Sequence, residues 1–249
     1  MIKFFRRRRQ RLLSENKFSK YLVYAVGEIA LVVIGILIAL QINNANEDKK
    51  DRVYEKKMLI EIKHALEKDV DYFKNHLVGS RLQKIQNAAL FFENYLISDS
   101  INRDSINHHF NGLTTGFHLT YNNGPYEALK STGIDRVSND SLRNMIIDLY
   151  EFELPKAAGI IEITMDNYFA ESKKLEEQLK DDLSVEIKNG EVTYLYNRMK
   201  DVNLRTNPSF LELLSWGSSS SKSVINFFDS IVPQMEELII TLDKELKKK

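Results

Sequence analysis

The chain has 249 residues with 35 Lys+Arg and 35 Asp+Glu, so its formal net charge is zero. That length can bury a core without covalent staples, and the lack of cysteine excludes disulfides and thiolate metal sites. Ten Gly and four Pro beside 43% hydrophobic residues exclude collagen-like and wholly disordered chains.

The zero net charge hides an uneven distribution. Residues 1–20 carry Lys3, Arg6, Arg7, Arg8, Arg9, Arg11, Lys17 and Lys20 against one acid, Glu15, for a net of +7. Phe4, Phe5, Leu12 and Leu13 interleave with these charges, as in a segment lying at a lipid interface. We therefore read Arg6, Arg7, Arg8, Arg9 and Arg11 as a topology signal that touches anionic headgroups, and expect no nucleic-acid partner.

Tyr21–Ile42 reads YLVYAVGEIALVVIGILIALQI, with no Lys or Arg and one acid, Glu28. As a helix it is about 33 Å long, enough to cross a bilayer core. Thirteen of its residues are Leu, Ile or Val. Together they favour insertion by roughly 4–8 kcal/mol, against about 3 kcal/mol for one central acid. The run is longer than a signal-peptide core, and the exit Gln41-Ile42-Asn43-Asn44-Ala45 lacks a small-x-small cleavage site. An uncleaved anchor is expected, with Tyr21 and Tyr24 at the headgroup boundary. The positive-inside rule then places residues 1–20 in the cytoplasm and 43–249 outside it. The outer part holds 27 basic and 33 acidic groups, a net of −6.

Within the span, helical spacing puts Ala25, Glu28, Val32, Gly35, Ala39 and Ile42 on one stripe. Gly35-x-x-x-Ala39 fits the small-residue pattern by which membrane helices pack closely. Ala25, Glu28, Val32, Gly35 and Ala39 are accordingly the candidate packing or oligomer face. A Glu28 that snorkels toward water is the competing reading.

Residues 43–249 read as mostly helical. Leu59, Ile62, Leu66, Val70, Phe73 and Leu77 predict a helix over 46–78, ended by Gly79. With no strong breaker before it, this helix is expected to continue the span. A second helix is expected at 80–98, and mostly loop with a short helix over 99–124. Pro125 opens and Gly133 closes a short helix. Ser138-Asn139-Asp140 caps another over 140–153, and Pro155 breaks or kinks the chain. A long helix follows at 156–182. Alternating residues around Asn189-Gly190 predict a β-hairpin at 184–196, which must pack on helices to persist. Asn207-Pro208 starts a helix that ends near Trp216-Gly217, and Ser218–Ser221 reads as a flexible joint. The last helix, 222–246, turns Ile225, Phe228, Ile231, Met235, Leu238 and Leu242 inward and is expected to kink at Pro233. The fold class is mainly α: one N-terminal transmembrane helix continuing into an elongated antiparallel helical bundle with one small hairpin. The domains are 1–20, 21–42 and a single outer domain, 43–249.

Catalytic signatures are absent: no H-E-x-x-H, G-x-S-x-G, Walker or dinucleotide fingerprint occurs. His108, His109 and His118 with Asp104 are the nearest approach to a loop metal site, but solvated histidines explain them better, so no metal or cofactor is expected. Asn122, Asn123, Tyr126, Ser131 and Thr132 form a candidate ligand or partner loop; turn and capping chemistry is the plainer account of them.

Two stretches carry a resemblance. LLSENKFSKYLVYAVGEIALVVIGILIALQINNANE (Leu12–Glu47), with GEI-x-LVVIGILIALQINN at its heart, and YEALKSTGIDRVSNDSLRNMIIDLYE (Tyr126–Glu151) closely resemble an uncharacterised bacterial single-pass inner-membrane family, domain of unknown function family 6090. That family usually shows Trp after the paired Asn, where this chain has Ala45. The resemblance implies the inner membrane of a Gram-negative cell, with the outer domain in the periplasm. It brings no activity and no catalytic residues. The expected function is a membrane-anchored periplasmic interaction or signal-coupling protein without catalysis. Its partners would be the bilayer and either itself or another envelope protein. The alternative is an envelope enzyme or small-ligand binder using 104–133.

Overall fold

The computed structural model describes residues 18–98, 103–179, 183–196 and 203–248. The chain divides into two units, Met1–Glu55 and Lys56–Lys249.

The first unit is the apolar helix. It belongs to α1, Phe18–Asp71, and is long and apolar enough to cross a membrane. Its large aliphatic side chains from Leu22 to Ile42 are 47–74% exposed, so the described chain supplies no cover for them. Arg6, Arg7, Arg8, Arg9 and Arg11 lie outside the described residues.

The second unit is a helical body. After α1, the wide-turned segment π1 (Tyr72–Leu82) and helix α2 (Gln83–Ile97) continue the same path. Gly79, expected to end the helix, lies inside π1. A Cβ there would sit 2.9 Å from the carbonyl oxygen of Lys74, five residues back. The glycine admits a wide turn instead of stopping the chain. The inward stripe is Leu59, Ile62, Leu66, Asp69, Phe73 and Leu77, then Leu82, Ile85, Ala89 and Phe92. Asp69 takes the buried place that the spacing assigned to Val70, which is only half-buried.

Helix α3 (Arg103–Thr114) replaces much of the expected loop; among the described residues of that stretch, 115–123 lack regular structure. It forms because Ile106, Phe110 and Leu113 recur at helical spacing, and Phe110 and Leu113 are buried. Helix α4 (Gly124–Thr132) begins and ends as predicted, with Pro125 in its first turn and Gly133 beyond it at φ 111°. Asn139 caps α5 (Asp140–Ile147), its side chain accepting from the Leu142 amide. The wide segment π2 (Asp148–Glu153) then leads directly into α6 (Leu154–Leu179). Pro155 does not break the chain. It stands just after π2, whose wide turn accommodates its missing N–H within a continuous helical path.

Strands β1 (Leu183–Lys188) and β2 (Glu191–Tyr196) form the predicted hairpin, with Val185 opposite Tyr194 and Ile187 opposite Val192. The turn places Asn189 at φ 54° and Gly190 at φ 81°, the positive pair that a tight two-residue hairpin requires. Contrary to expectation, Val185, Ile187 and Val192 are all more than half exposed, so no described helix covers this face.

Asn207 caps α7 (Pro208–Ser215) by accepting from the Phe210 amide. The serine run is not a flexible joint. It forms π3 (Trp216–Ser220) and enters α8 (Ser221–Lys247). Gly217 and Ser221 are buried, and the Ser221 hydroxyl donates to the Gly217 carbonyl at 2.5 Å. A Cβ at Gly217 would lie 3.1 Å from Leu113 and 3.2 Å from Ala89, so the small residue lets three helical segments close together. The inner face of α8 carries Val224, Phe228, Ile231, Met235, Leu238 and Leu242; Val224 takes the buried place expected of Ile225. Pro233 lies inside α8 without ending it. In the bundle, α2 packs on α3, α7 and π3, while α8 packs on π1, π3 and α5.

Candidate functional site

The five residues expected on the packing face of the span lie on α1. Val32, Gly35 and Ala39 are exposed, and Ala25 and Glu28 are half-buried. A Cβ built on Gly35 would meet nothing within 4 Å, so the chain leaves open the space over this small residue.

The candidate loop divides into two groups. Ser131 and Thr132 turn their hydroxyls back onto the last turn of α4. Ser131 donates to the Ala128 carbonyl at 2.9 Å, and Thr132 donates to the Ala128 and Leu129 carbonyls at 3.1 Å. Asn123 precedes the helix without a side-chain cap, and its carbonyl accepts from the Glu127 amide. These three do turn and capping work. Asn122 and Tyr126 belong to a polar cluster built around Asp69.

Asp69 is buried on the inner stripe of α1, where an apolar residue would ordinarily sit. Both of its oxygens accept from Asn122: the backbone N–H at 2.8 Å and the side-chain amide at 2.6 Å. This clamp ties the segment before α4 to α1. The Tyr126 ring then stacks on Tyr150, with centroids 4.8 Å apart and planes within 3°. The Tyr126 hydroxyl donates to Glu151 at 2.6 Å, and Lys130 donates to the same oxygen at 2.5 Å. The Tyr150 hydroxyl is buried and has no hydrogen-bond partner among the described residues. A cavity of about 270 Å³ opens beside the cluster, lined by Lys68, Asp69, Tyr72, Thr120, Tyr121 and Asn122.

The electrostatics follow from burial. Burial pushes the Asp69 carboxyl above its ordinary range, although the two hydrogen bonds from Asn122 pull the other way. Burial is also the largest cause holding the phenols of Tyr121, Tyr126 and Tyr150 above theirs. Glu151 goes down, chiefly through Lys130 and then Tyr126. Of these three phenols only Tyr121 lines the cavity, beside the Asp69 carboxyl that Asn122 already clamps.

Asp69→Ala is expected to strand two Asn122 donors and destabilise the body by about 1–3 kcal/mol. Thermal unfolding reads this, and an unchanged midpoint would show that the clamp carries no energy. Asp69→Asn isolates the titration. A raised folded-state pKa means that the Asp69 contribution is fully present below the unfolded value of 3.8 and is lost as pH rises through the folded value. The Asn variant should lack that decline when stability is followed upward from about pH 3.5.

The histidines do not assemble. His109 stacks on Phe91 at 4.1 Å, His108 meets His109 edge-on at 5.2 Å, and His118 leans on Phe169 at 5.0 Å. Among the described residues no group of three or more His, Asp or Glu is placed to hold a metal ion. The side chain of Asp104 lies outside those described. Sequence reasoning missed Asp69, Tyr121, Tyr150 and Glu151. Asp69 carried a usable signal: it falls three residues after Leu66 and four before Phe73, on the apolar stripe itself.

Comparison with known proteins adds one finding. No curated protein and no solved structure matches the chain. Residues 28–158, just over half of the chain, match the Family of unknown function (DUF6090). The matched stretch takes in Glu28 and Gly35 of the span and the whole cluster from Asp69 to Glu151. The chain therefore belongs to the Family of unknown function (DUF6090).

Proposed function

We propose that this is a membrane-anchored interaction or signal-coupling protein without catalysis. Its basic head faces the bacterial cytoplasm, a single span crosses the inner membrane, and the helical body works in the periplasm. The observation that carries the reading is the uncovered aliphatic run from Leu22 to Ile42 on α1. In water a run of that size would be a large apolar patch; in a bilayer it is matched to its surroundings. The eight basic residues of the head, next to the span, support the orientation.

The test exploits the absence of cysteine. Ser14→Cys and Glu212→Cys each introduce one thiol, the second on an exposed position of α7. In spheroplasts a membrane-impermeant maleimide should label the Glu212 variant at once and the Ser14 variant only after lysis. The opposite pattern would reverse the topology. Recovery of the chain in the soluble fraction would remove the anchor.

The open space over Gly35 favours a partner helix on the Ala25–Ala39 stripe. Gly35→Ile should lower association at least severalfold in a membrane two-hybrid reporter. Unchanged association would place the interface elsewhere. Glu28→Leu should insert at least as well as the native chain but alter assembly.

A further inference from the structure

A second cavity, of about 500 Å³, lies between α3 and the neighbouring helical path of π1 and α2. The two sides meet closely at its floor. A Cβ added to Gly112 would come within 3.1 Å of the Ala88 Cβ and 3.3 Å of the Lys84 carbonyl. Around that contact the side chains are polar and lean one way in charge. Arg81 and Lys84, three residues apart on one helical face, stand on one side with Asn87; His108, His109 and Asn111 stand on the other. Among the described side chains no carboxylate lines the cavity.

Lys63, Lys74, Lys130 and Arg143 each have an acidic partner within 3.0 Å. Neither Arg81 nor Lys84 has one among the described residues. Two cations without acidic partners among the described residues line the cavity and give it a positive field. The other walls add hydrogen-bond donors. Asn87 accepts from Gln83 at Oδ1, which leaves its amide NH2 as a donor. The His109 ring is held in plane by its stack on Phe91. Burial and His108 push its imidazole down, so it serves as a neutral hydrogen-bonding wall while Arg81 and Lys84 carry the fixed charge.

We propose that this cavity binds a small soluble molecule bearing a phosphate group, with Arg81 and Lys84 on the phosphate and the histidine–asparagine wall on the rest. Two fixed positive charges match a phosphate monoester, which carries about −1.5 to −2 near neutral pH. Arginine's planar fork suits its oxygens, and lysine adds a point charge. The volume is on the order of fifteen waters, more than a bare phosphate needs, so the ligand has an uncharged portion. The body is then a receptor for a phosphorylated small molecule, with the anchor holding it at the membrane.

The same phosphate chemistry sits on lipid headgroups, so the experiment separates the sources. The full chain is placed in nanodiscs of phosphatidylcholine and titrated calorimetrically with glycerol 3-phosphate. Binding with Kd below about 1 mM is expected. Arg81→Ala/Lys84→Ala should weaken it at least tenfold, whereas Lys222→Ala/Lys244→Ala, which removes the same charge from the exposed face of α8, should not. Both positions in the first pair are exposed, and an unchanged melting curve confirms that the fold persists. No heat at 5 mM ligand, or equal losses in both double variants, would overturn the proposal. Binding of phosphatidylglycerol vesicles that depends on Arg81 and Lys84, without any response to glycerol 3-phosphate, would overturn it in favour of a lipid headgroup.

Discussion

Replacing Val33 and Leu37 together with arginine is expected to release the chain from the membrane fraction. Both residues lie near the middle of the aliphatic run and one helical turn apart, with 47% and 58% of their surface exposed. Each arginine at a helix centre opposes insertion by about 2.5–3.5 kcal/mol and removes a residue worth about 0.3–0.6 kcal/mol. The pair therefore costs roughly 6–8 kcal/mol, as much as the whole aliphatic run contributes. Snorkelling cannot rescue both, because each end of the span is at least nine residues from one of them. Alkaline extraction followed by fractionation reads the outcome. The matched Val33→Ala/Leu37→Ala variant should stay in the pellet. An arginine variant that also resists extraction would mean that something other than this helix holds the protein to the bilayer.

Phe92→Ala should be the most damaging single truncation in the body. Phe92 is fully buried on α2 and meets three aromatic rings: Phe210 of α7 edge-on at 5.1 Å, Phe91 at 5.2 Å and Tyr95 at 6.3 Å. Removing its ring empties the contact between α2 and α7, at about 3–5 kcal/mol. For a body of this size each kcal/mol moves the midpoint by about 2–4 °C, so a fall of roughly 6–20 °C is expected in a thermal scan of the detergent-solubilised chain. Phe92→Leu, which keeps most of the volume, should lose less than half as much. Equal losses from Ala and Leu would show that ring geometry, not filled space, holds the two helices together.

Much of the architecture was legible where a residue type has one physical job. Asn189-Gly190 supplies two positive φ angles, Asn139 and Asn207 supply cap acceptors, and Pro125 and Gly133 bracket α4. The long apolar helix was legible from its length and composition. The misread positions share a cause. Gly79, Pro155 and the Gly217–Ser221 run were taken as breaks because glycine, proline and serine interrupt regular α-helix. Each lies in or close after a wide turn, π1, π2 or π3, which accommodates it. Helix α3 was hidden by its polar surface, although Phe110 and Leu113 held the inner spacing. The hairpin showed its register but not its surroundings, and its Val185–Ile187–Val192 face is exposed.

The sites were less legible, for a different reason. Asn122 and Tyr126 were singled out for their composition. What gives them meaning is Asp69, 53 residues earlier in the chain from Asn122, and Tyr150 and Glu151 on π2. The Arg81–Lys84 pair looks like any solvated helix face until α3 is placed beside it. A cavity is a property of two elements, and sequence periodicity describes one element at a time.

The wide turn π1 leaves a mark on the spacing of the core. Buried positions on this path step by three and four from Leu59 to Leu77, then by five to Leu82, then by three and four again to Phe92. A step of five carries one residue beyond a regular helical turn. The chain thus holds a single supernumerary residue between Leu77 and Leu82, absorbed by widening the backbone and not by looping out. Relatives one residue shorter at this point would present the same inward faces on an ordinary α-helix. A one-residue gap in an alignment here would be conformational bookkeeping, and the core on both sides of it would be equivalent, position for position.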